Sequence, residues 1–184
     1  MKDDAPYAEI VLGTMECARR NLERDGTLMM VVLFLRGTLP LNITPLQWDT
    51  DKEKWQRLFL CGSAMKQTQC DGLIVVSDAA IRRFDNISKE DLAYVKENVA
   101  TEAPLTVPEG MLGRRECIIV QYLNPVSKIS DMAVQAYRHE GADRSIVFEE
   151  RIDQGYMDGM SMDGMIRDMV FDGYDSGMNL QSTE

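Results

Sequence analysis

The chain has 184 residues, of which 45% are apolar, 27% charged and 7% aromatic, the balance of a globular domain able to bury a core without metal or disulfide staples. Thirty acidic against twenty basic side chains give a net charge of -10, which weighs against sequence-independent contact with nucleic-acid phosphates. From Glu149 onward nine acidic residues face only Arg151 and Arg167, so -7 of the charge lies there and -3 in everything before.

The four cysteines, Cys17, Cys61, Cys70 and Cys117, match no zinc or compact disulfide spacing, and a reduced, cytoplasmic chain is expected. Met1-Lys2-Asp3-Asp4 lacks the basic-then-apolar order of a secretory signal. The longest apolar run, Leu28 to Leu35, is eight residues, far below the roughly 20 that span a bilayer, so no membrane partner is expected.

Along the chain, Ile10, Val11, Met15, Ala18 and Leu22 recur at helical spacing within Ala5 to Arg24, and Asp25-Gly26 supplies a stop. Leu28 to Leu35 reads as a strand buried on both faces. Leu39 to Leu46 pairs back against it, and its Pro40 and Pro45 assign it to a sheet edge. Asp49-Thr50-Asp51 caps a second helix carrying Trp55, Leu58, Phe59, Gly62 and Met65. Gly62 there reads as a close-packing position against the sheet. Leu73 to Val76 is a second buried strand, and a helix between two such strands suggests a crossover. Next come a short helix, Lys89 to Asn98, capped at Ser88, and a mobile loop with Pro104, Pro108, Gly110 and Gly113. Arg115 to Leu123, Met132 to Arg138 and Ser145 to Glu150 form a meander.

The fold class expected is α+β over residues 1–152: a mixed or antiparallel sheet of five to six strands under two main helices. Residues 153–184 read as a Met/Asp/Gly-rich acidic tail, with six of the thirteen methionines between Met157 and Met178. Its five-residue repeat advances about 140° past a full helical turn, so the methionines share no face. Its glycines weaken a helix further, and flexibility is expected.

Asp71-Gly72-Leu73-Ile74-Val75-Val76-Ser77-Asp78-Ala79 after an amphipathic helix, then Arg114-Arg115-Glu116 opening a strand, then the hairpin from Ala133 to Glu149, resemble a loose group of small uncharacterised bacterial and phage proteins. The resemblance covers about residues 28 to 150 and implies a fold. It implies no activity.

Chemistry is sparse in the sequence. His139 is the single histidine and reads as a hairpin residue, because a multi-histidine zinc site needs more. Gly62-Ser63 followed by Asp71 superficially matches a nucleotidyltransferase, but Leu73 stands where the second metal-binding carboxylate belongs. Asp71, Asp78 and Glu116, with Ser77 and His139, are the candidates for a catalytic cleft at strand ends under residues 100–113. The competing reading makes Asp71-Gly72 and Ser77-Asp78 turn punctuation. Met157, Met160, Met162 and Met165 have thioether spacings for Cu(I), a site that would compete poorly against thiols. Tyr156, Met160, Met165, Met169 and Phe171 suit a pliable protein-binding surface. No cofactor is implied, since no phosphate-binding glycine loop, GxSxG elbow or paired Cys-His nucleophile occurs. The leading expectation is a self-associating accessory or interaction domain without catalysis, working through a sheet edge or the apolar N-terminal helix. The alternative is a small hydrolase or small-molecule enzyme using the carboxylates near Asp71, Asp78 and Glu116.

Overall fold

A computed structural model describes residues 5–81, 115–142, 144–151 and 164–177. Helix α1 (Ala8–Asp25) leads into strands β1 (Val31–Arg36) and β2 (Leu39–Pro45), then helix α2 (Asp51–Gln67). Strands β3 (Gly72–Ile81), β4 (Arg115–Asn124), β5 (Ile129–Glu140) and β6 (Ser145–Arg151) follow, and helix α3 (Gly164–Gly177) closes the order. The six strands make one antiparallel sheet in the order β2-β1-β3-β4-β5-β6. The class is α+β, as the sequence predicts.

Local chemistry explains the helix ends. Gly26 takes φ +70° and its N–H bonds Leu22 O, an ending that needs no Cβ. Thr50 Oγ1 accepts from Glu53 N, while Glu53 Oε2 accepts from Asp49 N at 2.9 Å, so side chains satisfy two donors at the start of α2.

The expected crossover between β1 and β3 does not occur. β2 is a complete hairpin partner of β1 and adds one reversal of direction, so α2 delivers β3 antiparallel to β1, on the side away from β2. Apolar runs carry no sign of strand direction, which is why periodicity alone cannot choose between the two.

Alternation along the strands divides the core. Leu33, Leu35, Ile74, Val76, Ile118 and Val120 face α1 and meet its Val11, Met15, Ala18 and Leu22. Val32, Phe34, Leu73 and Val75 face the other way and meet Leu58, Cys61 and Met65 of α2 with Val170 of α3. The apolar face of α1 is therefore spent on its own sheet. Among the described residues, β2 and β6 are the edges of the sheet.

Residues 164–177 lie within the segment read as a flexible tail, yet they form α3, with Val170 fully buried. Glycine weakens a helix taken alone. At this crossing it permits backbone contact. A Cβ on Gly62 would sit 2.0 Å from Val170 O, and one on Gly173 would sit 2.0 Å from Phe59 O. Gly62 thus packs against a helix and not against the sheet. Ser63 Oγ donates to Gly173 O at 2.9 Å, and Lys128 pairs with Asp175 at 3.2 Å while lying over the Phe171 ring. The rest of the tail, the helix expected over 89–98 and the loop after it lie outside the described residues. No helix among the described residues is long and apolar enough to cross a membrane.

Candidate functional site

The register of β3, β4 and β5 brings three of the sequence candidates together. Ala80 lies opposite Glu116, and Glu116 opposite Tyr137. Strand alternation puts Asp78, Glu116 and Tyr137 on the α1 side of the sheet. Tyr137 donates its hydroxyl hydrogen to Asp78 Oδ1 at 2.9 Å. His139 stands edge-on to the Tyr137 ring, with Nε2 3.3 Å from Glu116 Oε2 and Nδ1 3.1 Å from Arg144 O. Oxygen acceptors face both ring nitrogens, so a doubly protonated ring makes both bonds and a neutral ring only one.

Burial against Tyr137 raises the proton affinity of Asp78; the Tyr137 hydrogen bond opposes this, and the Glu116 charge adds to it. Burial and the Asp78 carboxylate together hold Tyr137 protonated well above the ordinary phenol range. Each polar group here answers another within the chain: tyrosine with aspartate, histidine with glutamate. Among the described residues, no group of three or more His, Cys, Asp or Glu is placed to hold a metal ion.

Raised proton affinity in the fold carries a sign. An aspartate easier to protonate in the folded than in the unfolded chain contributes stability when neutral, at low pH. That contribution is lost as pH rises from the ordinary carboxylate range through the raised value. Asp78→Asn, which keeps an acceptor for Tyr137, is expected to be at least as stable as the parent at neutral pH. Its Tm should also fall less between pH 3 and pH 7 in thermal melts, since the window then opens below the ordinary aspartate value of about 3.9. Parallel pH profiles of the two proteins would defeat this account.

Asp71 is not part of this cluster. It precedes β3, seven residues from Asp78, a separation of about 23 Å along an extended strand. Its Oδ1 accepts from Gly37 N at 2.7 Å across the β1–β2 turn. Asp71 thus serves the β1–β2 turn, at the opposite end of β3 from Asp78, and residues 100–113, expected over the cleft, lie outside the described residues. Ser77 is buried, one residue out of phase with Asp78 and so turned to the opposite face. Met169 and Phe171 pack against the α2-side core of the same chain, which uses part of the surface expected to meet a partner. Tyr156, Met157, Met160 and Met162 lie outside the described residues, and only the backbone of Met165 is described.

A second feature escapes the sequence reading. Between β2 and α2 runs an open groove of about 430 Å³, lined mainly by Phe34, Leu41, Leu46, Leu60, Cys61 and Cys70, with the exposed Arg57 also in its lining. Burial pushes the Cys61 thiol up to about 11, so it sits in the groove as a neutral, unreactive apolar group at physiological pH. Leu60 and Leu41, which line the groove, are exposed, as are Leu39 and Ile43 of β2 and Met29 before β1. These are five of the seven large apolar residues exposed among those described.

The signal was present in part. Leu39, Leu41 and Ile43 between two prolines mark an edge strand with apolar side chains, and Leu60 falls off the stripe formed by Trp55, Leu58, Phe59 and Met65. What sequence could not supply is the neighbourhood of α2 and β2.

The two prolines also shape the edge itself. Met30 O accepts from Leu46 N and Leu35 O accepts from Asp71 N, so even-numbered β1 residues turn their backbone toward β2 and odd-numbered ones toward β3. Pro40 and Pro45 lie opposite Leu35 and Val31, positions whose backbone faces out of the sheet. The ladder therefore loses nothing, while the free edge loses two N–H donors. The opposite edge differs in character: on β6, Phe148 lies under the Arg19 guanidinium and Glu149 pairs with Arg138.

No family model, curated protein or solved structure matches this chain.

Proposed function

We propose that the chain is a self-associating protein-interaction domain whose contact surface is the β2 edge. The observation that carries this reading is the exposure of Leu39, Leu41 and Ile43 along β2, an edge strand with no outer partner among the described residues. Contiguous exposed apolar surface marks interaction sites far more often than scattered apolar residues do.

A second copy is the partner that charge favours. The chain carries -10, and two copies repel across most of their surface. Leu39 to Pro45 contains no charged residue, so this edge is where two copies approach at least electrostatic cost. Pro40 and Pro45 limit added strand pairing, which leaves side-chain packing to supply the attraction.

A seven-residue strand, about 23 Å long, with the adjoining helix turns, offers at most roughly the 800 Å² per partner of a standard interface. Sedimentation velocity from low to hundred-micromolar concentration is expected to move from monomer toward dimer. Ile43→Lys, an exposed position where folding tolerates charge, should hold the chain monomeric across that range. Monomer at every concentration, or an unchanged dimer in Ile43→Lys, would overturn the proposal.

A further inference from the structure

Beyond self-association, we propose that the groove between β2 and α2 is a binding site for an aliphatic carboxylate of medium chain length. Its volume of about 430 Å³ lies within the roughly 300–1,000 Å³ of small-molecule sites. Phe34, Leu41, Leu46, Leu60, Cys61 and Cys70 make its walls mostly apolar, which suits a hydrocarbon chain, and Asn42, Thr44 and Thr68 are its neutral polar members.

The head group is assigned by Arg57. Among the described residues it is the one charged residue lining the groove. Its guanidinium makes no hydrogen bond or ion pair with the described residues, whereas Arg24, Arg138 and Arg167 each hold a carboxylate. In a chain with 30 acidic side chains, an arginine left free in the lining of a mostly apolar groove is placed to take a carboxylate from outside. The planar fork of a guanidinium matches a carboxylate with two parallel hydrogen bonds. The ligand's chain lies among the leucines and the thiols, and its charged end stays with the exposed Arg57. Cys61 and Cys70 contribute only as small apolar groups.

The site is distinct from the self-association contact at Ile43. Asn42 and Thr44, which line the groove, pair with Phe34 and Val32 on the α2 side of the sheet, whereas Ile43 pairs with Leu33 on the α1 side. The two proposals can therefore fail separately.

The test is isothermal titration calorimetry of the full chain with sodium decanoate below its micellar concentration, and with decylammonium chloride as the charge-reversed control. Saturable one-to-one binding of decanoate with a negative heat-capacity change is expected, and none of decylammonium. Arg57→Gln, a surface change, should weaken decanoate about tenfold with an unchanged Tm. Ala64→Phe should block the groove, with circular dichroism checking its fold. Ile43→Lys should bind decanoate like the parent, whatever its effect on association. Absence of saturation, equal binding of the two amphiphiles, or undiminished binding by Arg57→Gln would each overturn the site.

Discussion

Gly173→Leu is expected to release α3 from α2 while leaving the sheet folded. Leucine is the better helix former, by about 0.8 kcal/mol, so isolated helix propensity predicts stabilisation. Packing decides otherwise. The first carbon of any side chain at Gly173 would lie 2.0 Å from Phe59 O and 3.1 Å from Phe59 Cα. That obstacle is backbone within a helix and has no rotamer into which it can retreat. Overpacking of well-packed sites costs roughly 1–3 kcal/mol even where side chains can move, so a net loss of at least about 2 kcal/mol at the helix crossing is expected. Hydrogen exchange should show the amides of α3 losing protection while those of β3 and β4 keep theirs. Gly62→Leu should do the same, since Val170 O stands equally close on the other side. Retained protection throughout α3 in both variants would mean that the two helices do not meet through these glycines.

Leu58→Ala is expected to cost the whole domain about 3 kcal/mol, within the range for a buried leucine truncation. Leu58 is fully buried at the centre of the cluster that joins α2 to Val32, Leu73 and Val75 of the sheet and to Val170 of α3. Neighbours on three elements cannot collapse together into the space left, so the cavity persists. For a chain of this length the Tm should fall by roughly 6–12 °C. Leu60→Ala provides the contrast: it removes the same atoms two residues away, from an exposed side chain, and should change Tm little. Equal shifts in the two variants would contradict the placement of α2.

Features set by neighbours along the chain were legible in the residues. The period of Val11, Met15, Ala18 and Leu22 located the buried face of α1, and the Thr50 cap located the start of α2. The prolines of Leu39 to Pro45 assigned an edge strand, because a missing N–H is tolerated only where the backbone faces outward. Asp71 followed the turn chemistry of an Asp-Gly pair. Each of these depends on interactions within a few residues, so sequence determined them.

Tertiary structure decided what depends on distance through space. The reversal added by β2 set the direction of β3, and no apolar run records direction. The strand register joined Asp78 to Tyr137 and Glu116 to His139 while leaving Asp71 at the other end of β3. Glycines that count against a helix taken alone became the contact surface of α3, because removing a Cβ gains nothing until a second backbone occupies the space that the Cβ would fill. The mostly apolar groove with Arg57 in its lining exists only where α2 passes beside β2. Local propensity and pattern act through bonds and near neighbours, whereas sites and helix crossings depend on which distant residues meet, and that is fixed only when the whole core packs at once.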